Sequence, residues 1–298
     1  IGNLLNQIKF RIPETLPQEI ILRYHLMNLH DALYKIHFPS VPDEIRKSRY
    51  RLRFEELFYI QLNLLRFKNN RSRKYRGFVF SSVGNNFNNF YYNNLPFSLT
   101  EAQKRVIKEI RRDLGSGKQM NRLLQGDVGS GKTLVALMSM LIALDNGFQA
   151  CLMAPTEILA NQHYNTIVKF LKGIDVKVSI LTGSSRKSSR KMIEESLADG
   201  SLGILIGTHA LIEDNVKFIN LGLVIIDEQH RFGVAQRARL WEKNLNPPHV
   251  LVMTATPIPR TLAMTLYGDL DVSVIDEMPP GRIPVKTMNF TDHDRNKV

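Results

Sequence analysis

Residues Gly126 to Thr133 read GDVGSGKT, and the apolar run LVIIDEQH carries a pair of acids, Asp227 and Glu228. The first stretch fits G-x-x-x-x-G-K-[ST] at Gly126, Gly131, Lys132 and Thr133. Lacking side chains, Gly126, Gly129 and Gly131 let the backbone N–H groups of the loop, with Asp127, Val128 and Ser130 between them, crowd round an anion. Lys132 supplies positive charge for the β and γ phosphates of a nucleoside triphosphate, and the Thr133 hydroxyl supplies a ligand for Mg²⁺. Such a loop must follow a strand and open a helix, and the flanking MNRLLQ and LVALMSMLIAL have those characters. The acids complete the chemistry: Asp227 suits Mg²⁺ held through water, and Glu228 suits orienting or deprotonating an attacking water. Adjacent side chains on a strand point opposite ways, so the pair fits two roles better than one shared metal. ATP with Mg²⁺ is therefore the predicted ligand, with Lys132, Asp227 and Glu228 as catalytic candidates.

Other polar segments also sit beside apolar runs. TATPIPRT, Thr254 to Thr261, follows HVLVM and has the stiffness and hydroxyls to sense a γ-phosphate, although a plain strand-to-helix turn has the same composition. In PFSLTEAQ, Phe97, Thr100 and Gln103 precede the helix that leads to the glycine-rich loop. Gln103 fits an adenine reader or the second half of a capping box with Thr100, and the residues alone leave both open. Pro155 and Thr156 in APTEILANQH can open a helix whose free N–H groups attract a nucleic-acid phosphate. Thr182 and Gly183 begin TGSSRKSSRK, and Thr208 and His209 lie in GTHALIED, two more turns of this kind. Each of the three also fits a helix start on a solvated surface. No zinc-like spacing joins the histidines.

To bring these residues together the chain needs strands that end at one edge. Strand-like runs fall at Arg122 to Gln125, Gln149 to Ala154, Val176 to Leu181, Gly203 to Gly207, Leu223 to Ile226 and His249 to Met253, with helical runs between them. That alternation predicts an α/β fold with a mostly parallel sheet wrapped by helices, whose ligands gather at the strand C-terminal ends. Before residue 95 the character differs. One helix is predicted over Pro17 to Phe38 and a longer one over Asp43 to Lys68, whose stripe of Phe54, Leu57, Phe58, Leu62 and Leu65 must pack on something. Asn69 to Asn94 is basic and then Asn-rich and reads as a linker or mobile loop, so residues 1–94 are expected to form a helical segment apart from a nucleotide-binding domain at 95–284.

The charge is as uneven as the pattern. Residues 1–120 carry 21 Lys/Arg against 10 Asp/Glu, whereas the remainder carries 19 against 18. Arg46 to Arg76 alone holds eleven basic residues with Glu55 and Glu56 as the acids, a balance suited to a polyanion such as nucleic acid. The single cysteine, Cys151, lies in an apolar run, which excludes an intrachain disulfide and favours a reducing compartment. Leu134 to Leu144 is too short to span a bilayer. No leader is visible, and the abrupt start at Ile1 points to a missing N-terminus.

The ordered set GDVGSGKT, MAPTEILANQH, LTGS, GTHALI, VIIDEQHRFGVAQR and MTATPIPRTLAMTLYGDLDVSVIDEMPPGR resembles the superfamily 2 helicases and translocases, and among them the RecG-type branched-DNA translocases of bacteria. LMNLHDALYKIHFP and RLRFEELFYIQLNLL are similar to the helical segment that links the wedge domain of that family to its motor. The resemblance implies a RecA-like domain, with Phe97 and Gln103 reading adenine and with Gln229, His230, Thr254, Thr256 and Arg260 coupling hydrolysis to DNA movement. It implies forks and Holliday junctions as partners, in recombination and repair in the bacterial cytoplasm. It further implies that 285–298 begins a second helicase domain, and that this domain and the wedge lie outside the chain, leaving little strand separation or turnover in the fragment alone. A transcription-repair coupling translocase, an RNA helicase and a nucleotide-gated binding module are the competing classes; DEQH and TAT, where an RNA helicase has DEAD and SAT, weigh against the second.

Overall fold

In the computed structural model, which describes residues 12–74, 76–228, 246–256 and 270–279, seven strands form one sheet: β1 (Asn121–Gly126), β2 (Gln149–Met153), β3 (Val178–Leu181), β4 (Ile204–Gly207), β5 (Leu221–Asp227), β6 (His249–Thr254) and β7 (Asp271–Ile275). Every pairing is parallel, in the order β3-β4-β2-β5-β6-β1-β7. β1, β2, β4, β5 and β6 are buried along their whole length, as runs of Leu, Ile and Val must be when helices cover both faces. The six expected strands are all present. β7 is additional: it lies at the sheet edge, where only part of it is covered.

The helices of this part are α4 (Asn85–Asn89), a π-helical turn (Phe90–Asn94), α5 (Glu101–Leu114), α6 (Lys132–Asp145), α7 (Glu157–Phe170) and α8 (Lys187–Ala198), with α1 to α3 earlier in the chain. Residues Leu134 to Ala143 of α6 are all buried, which explains its apolar character on every face. Gln149 is buried at the start of β2. Its amide donates to the carbonyls of Leu197 and Leu202 and accepts the Asn220 N–H, so one side chain closes three segments.

The described residues divide into two compact units, 12–71 and those from 72 onward. In the first, α1 (Gln18–Arg23) and α2 (Leu29–Lys35) stand where one helix was expected, because Asn28 starts α2 afresh by accepting the Asp31 N–H. α3 (Pro42–Lys74) starts with proline in its first turn, where the missing N–H costs nothing. Its stripe packs only in part. Phe54 and Phe58 cover Leu16, Ile21 and Leu26, whereas Leu57 and Leu65 are more than half exposed among the described residues. Arg51 belongs to the interior rather than to the basic surface: fully buried, it donates to the carboxylates of Glu14 and Glu55. Burial pushes the Glu14 carboxyl up, but the N–H groups of Leu29 and Leu16 together with Arg51 hold it below its ordinary value.

The Asn-rich stretch differs from its expectation as a linker or mobile loop. Phe80 and Phe90 are buried in the same core as α5, α6 and the sheet. The Asp145 carboxylate, at the end of α6, accepts the N–H groups of Gly84, Asn86 and Phe87 and so caps α4 from outside. Asn94 donates to the carbonyls of Phe170 and Lys172. Asn94, which looked like loop composition, serves as an anchor here.

His249 closes the other end of that stretch. Its Nδ1 accepts the Met120 N–H at 2.9 Å, and its Nε2–H donates to the Phe78 carbonyl at 2.9 Å. Burial pushes the imidazole down to about 4, against the opposing pull of the Phe78 carbonyl. A folded value below the unfolded one means that the unfolded chain binds the extra proton first, so stability is lost as pH falls from about 6.5 towards 4. The loss should reach about 3 kcal/mol. Urea unfolding of wild type and His249→Leu across that range should show a steeper decline in the wild type, and parallel curves would refute the assignment.

Candidate functional site

Because all seven strands run one way, the turns that follow them share one edge of the sheet. In spatial order that edge presents Thr182 after β3, Thr208 after β4, Pro155 and Thr156 after β2, Asp227 at the end of β5, Thr254 at the end of β6 and the glycine-rich loop after β1. The residues read as nucleotide-handling occupy β5, β6 and β1, and those read as nucleic-acid contacts occupy β3, β4 and β2. The two sets are contiguous halves, meeting where β2 pairs with β5.

The loop has the backbone of a phosphate cradle. Gly129 and Gly131 have φ of 80° and 91°, a region that favours glycine, and Gly131 is the N-cap of α6. A Cβ at Gly126 would lie 2.6 Å from the Ser130 hydroxyl, and one at Gly131 would lie 2.3 Å from Gln103 Nε2. Lys132 Nζ donates to the carbonyls of Gly126 at 2.6 Å and Asp127 at 2.9 Å, folding its charge back over the loop. Thr133 follows in the first turn of α6, where helix N–H groups and dipole favour an anion. These features fit a triphosphate. Among the described residues no group of three or more His, Cys, Asp or Glu is placed to hold a metal.

Gln103 performs the capping role and a second one that the sequence did not reveal. Its Oε1 accepts the Thr100 N–H while its own N–H donates to Thr100 Oγ1, and its Nε2 donates to the Ser130 carbonyl at 2.8 Å. The side chain is fully buried, so the start of α5 and the glycine-rich loop are tied by one amide. Glu277, just past β7, adds to the same helix start by accepting the Ala102 N–H at 3.0 Å. Phe97 is exposed nearby in sequence, ahead of α5.

The two acids diverge, Asp227 ending β5 and Glu228 lying just past the strand, so extended-strand alternation is not the cause. Asp227 turns towards α7, where His163 Nε2 lies 2.8 Å from Oδ2, both residues being buried. Glu228 has φ of 51°, unusual for a residue with a side chain, and its carboxylate accepts the Ala255 N–H at 3.1 Å and faces the Thr254 hydroxyl at 3.4 Å. Thr254 Oγ1 in turn accepts the Thr256 N–H. Thr254 and Thr256 thus join Glu228 in one cluster, whereas Gln229, His230 and Arg260 lie outside the described residues.

On the other half, Thr156 caps α7 by accepting the Leu159 N–H. Glu157 accepts from the Ser184 hydroxyl and N–H, bonds that hold its carboxyl below the usual range and fasten the turn after β3 to the start of α7. Arg190 is spent internally on Glu213 and the Thr182 carbonyl, joining the turns after β3 and β4. Gly183 and His209 are exposed, while Thr182 and Thr208 are buried. His163 and Glu277 were missed because their partners are distant in sequence; for His163 the available signal was a polar residue in the apolar stripe Ala160, His163, Ile167. No described helix is long and apolar enough to cross a membrane.

Replacing Gln103 by Ala leaves the Ser130 carbonyl and the Thr100 N–H without their partner, at a cost of about 1–3 kcal/mol. Thermal melting should show that loss together with weaker nucleotide binding; unchanged binding would show that the amide is structural only.

The family model for DEAD/DEAH box helicases matches residues 100–265. The ATP-dependent DNA helicase RecG of Synechocystis sp. is 50% identical over 97% of this chain and 34% of its own length, and RecG of Thermotoga maritima is 48% identical over 93% and 35%. A solved structure of RecG bound to a three-way DNA junction superposes with a TM-score of 0.83 at 44% identity, covering 96% of this chain and 38% of that one. The chain therefore spans little more than a third of the length of these relatives, and it is similar to them both within the helicase match and across its N-terminal helices. Sheet, loop, acids and matched motifs converge, and the chain belongs to the DEAD/DEAH box helicase family.

Proposed function

We propose that this chain is the ATP-binding lobe of a motor that translocates on branched double-stranded DNA, remodelling forks and Holliday junctions in recombination and repair within the bacterial cytoplasm. The observation that supports this reading is that, along one sheet edge, the residues read as nucleotide-handling sit at β5, β6 and β1 and those read as nucleic-acid contacts sit at β3, β4 and β2, as two contiguous sets. The RecG relatives are DNA helicases, and one of them is seen on a three-way DNA junction, which is the source of the DNA specificity in the proposal.

In this reading Gly126 to Gly131 cradle the phosphates through backbone N–H groups, Lys132 neutralises the terminal ones, and Phe97 with Gln103 borders the adenine. Thr133 and Asp227 hold Mg²⁺, whose charge stabilises the phosphate oxygens during transfer. Glu228 orients the attacking water and takes its proton. Because its carboxylate is bound to the turn after β6, Thr254 and Thr256 register what happens at the phosphates. Pro155, Thr156, Thr182, Gly183, Thr208 and His209 line the track of a DNA strand. The relatives are about three times as long as this chain, and the wedge and second helicase domains that the resemblance implies complete the motor.

Lys132→Ala should weaken Mg²⁺–ATP binding about ten- to hundredfold, the loss of one charge-assisted hydrogen bond, and unchanged affinity would overturn the site. In the longer protein, Glu228→Gln should retain nucleotide binding while lowering hydrolysis by about 10²–10⁴. Forked DNA should stimulate that hydrolysis more than RNA of matched length; the reverse order would move the protein to the RNA helicases.

A further inference from the structure

His163 lies in the middle of α7 on the stripe formed with Ala160 and Ile167, a position that packing alone would fill with an apolar residue. Instead an imidazole is buried there with Nε2 2.8 Å from Asp227 Oδ2. A carboxylate only accepts, so Nε2 carries the hydrogen and donates it. Asp227 is 8% exposed and His163 9%, so the bond is shielded from water and the acid gains a donor it would otherwise lack. The carboxylate torsion of an aspartate is broad, and one fixed donor is enough to set its plane.

The donor is itself held firmly. α7 is capped by Thr156, and Glu157 in its first turn is bound to the N–H and hydroxyl of Ser184 after β3, bonds that tie the helix start to a second segment. His163 thus reaches the end of β5 from the helix that follows β2, across the line where the two halves of the edge meet.

We propose that His163 is a positioning residue for Asp227: its Nε2–H fixes the plane of the carboxylate and so sets how that acid meets Mg²⁺ on a bound nucleotide. The inference rests on the reading of this edge as a nucleotide site and adds to it a residue that touches neither nucleotide nor metal. Partners of this outer kind are worth about ten- to hundredfold in metal affinity.

The discriminating pair is His163→Gln, which keeps an N–H donor, and His163→Met, of similar length and volume with none. Fluorescent ADP binding to the whole chain would be titrated with Mg²⁺. His163→Met should raise the Mg²⁺ needed for half-maximal binding about tenfold, leaving metal-free nucleotide affinity within about twofold, while His163→Gln stays within about threefold of wild type. Equal Mg²⁺ dependence in wild type and His163→Met, with Lys132→Ala still weakening binding about ten- to hundredfold, would sink the proposal alone. Lys132→Ala without effect would instead remove the nucleotide site on which it rests. Should a variant fail to fold, ¹⁵N imidazole spectra of the wild type decide. The His163 signals should show the Nε2-protonated tautomer and move on addition of Mg²⁺–ADP but not of ADP alone; the other tautomer, or signals that do not move, would overturn the assignment.

Discussion

Every strand of the sheet runs in the same direction, and the rest of the molecule follows from that constraint. A parallel neighbour can be reached only through a crossover that leaves one edge and returns to the other, so each strand is followed by a turn on the same side. β2, β4 and β5 are buried along their whole length, which makes their sequences almost purely apolar and leaves the turns as the places where polar chemistry can be carried. Sheet order then decides which turns are neighbours. β6 lies between β5 and β1, so the cluster of Thr254 and Glu228 stands beside the glycine-rich loop although the segments are far apart in the chain.

Apolar packing brings these turns together but does not orient their side chains. Directional bonds do that, and the orienting groups are buried. Gln103 spends both ends of its amide, one on the start of α5 and one on the Ser130 carbonyl. Gln149 does the same for three segments at the opposite end of β2. His249 uses both ring nitrogens to join residues 78 and 120. Each is intolerant of loss because a buried partner left unpaired costs more than the bond itself contributes. Each also excludes the small displacements that an apolar residue of the same volume would allow.

This division explains what the sequence made readable. The parallel α/β architecture, the six strands, the loop at Gly126 to Thr133 and the acids at Asp227 and Glu228 follow from local patterns, because an apolar run, a glycine spacing or an acid after a strand is complete within a few residues. β7 was not read from the sequence, although its DVSVI is no more broken than the VSIL of β3 at the opposite edge. The Asn-rich stretch was misread because composition does not show that Asp145, remote in sequence, supplies the cap for α4. Arg51 counted as surface charge for the same reason: Glu14, its partner, belongs to another segment. His163 looked like one polar residue in a helix, and only the pairing of β2 with β5 brings it to Asp227.

The strained backbone at Glu228 belongs to the same argument. A residue with a Cβ held at φ of 51° costs about 1–3 kcal/mol, and such a conformation persists only where its surroundings over-determine it. Here those surroundings are the Glu228 N–H bonded to the Met253 carbonyl and the carboxylate bonded to the Ala255 N–H, both on β6 or the turn after it. The conformation of the second acid is thus set by the next strand, while that of the first is set by α7. Two adjacent residues answer to opposite halves of the edge. The side chain of Asp227 is held from α7 and that of Glu228 from the turn after β6, while the backbone of both is tied to Met253 on β6, so one strand carries two acids whose side chains have different anchors.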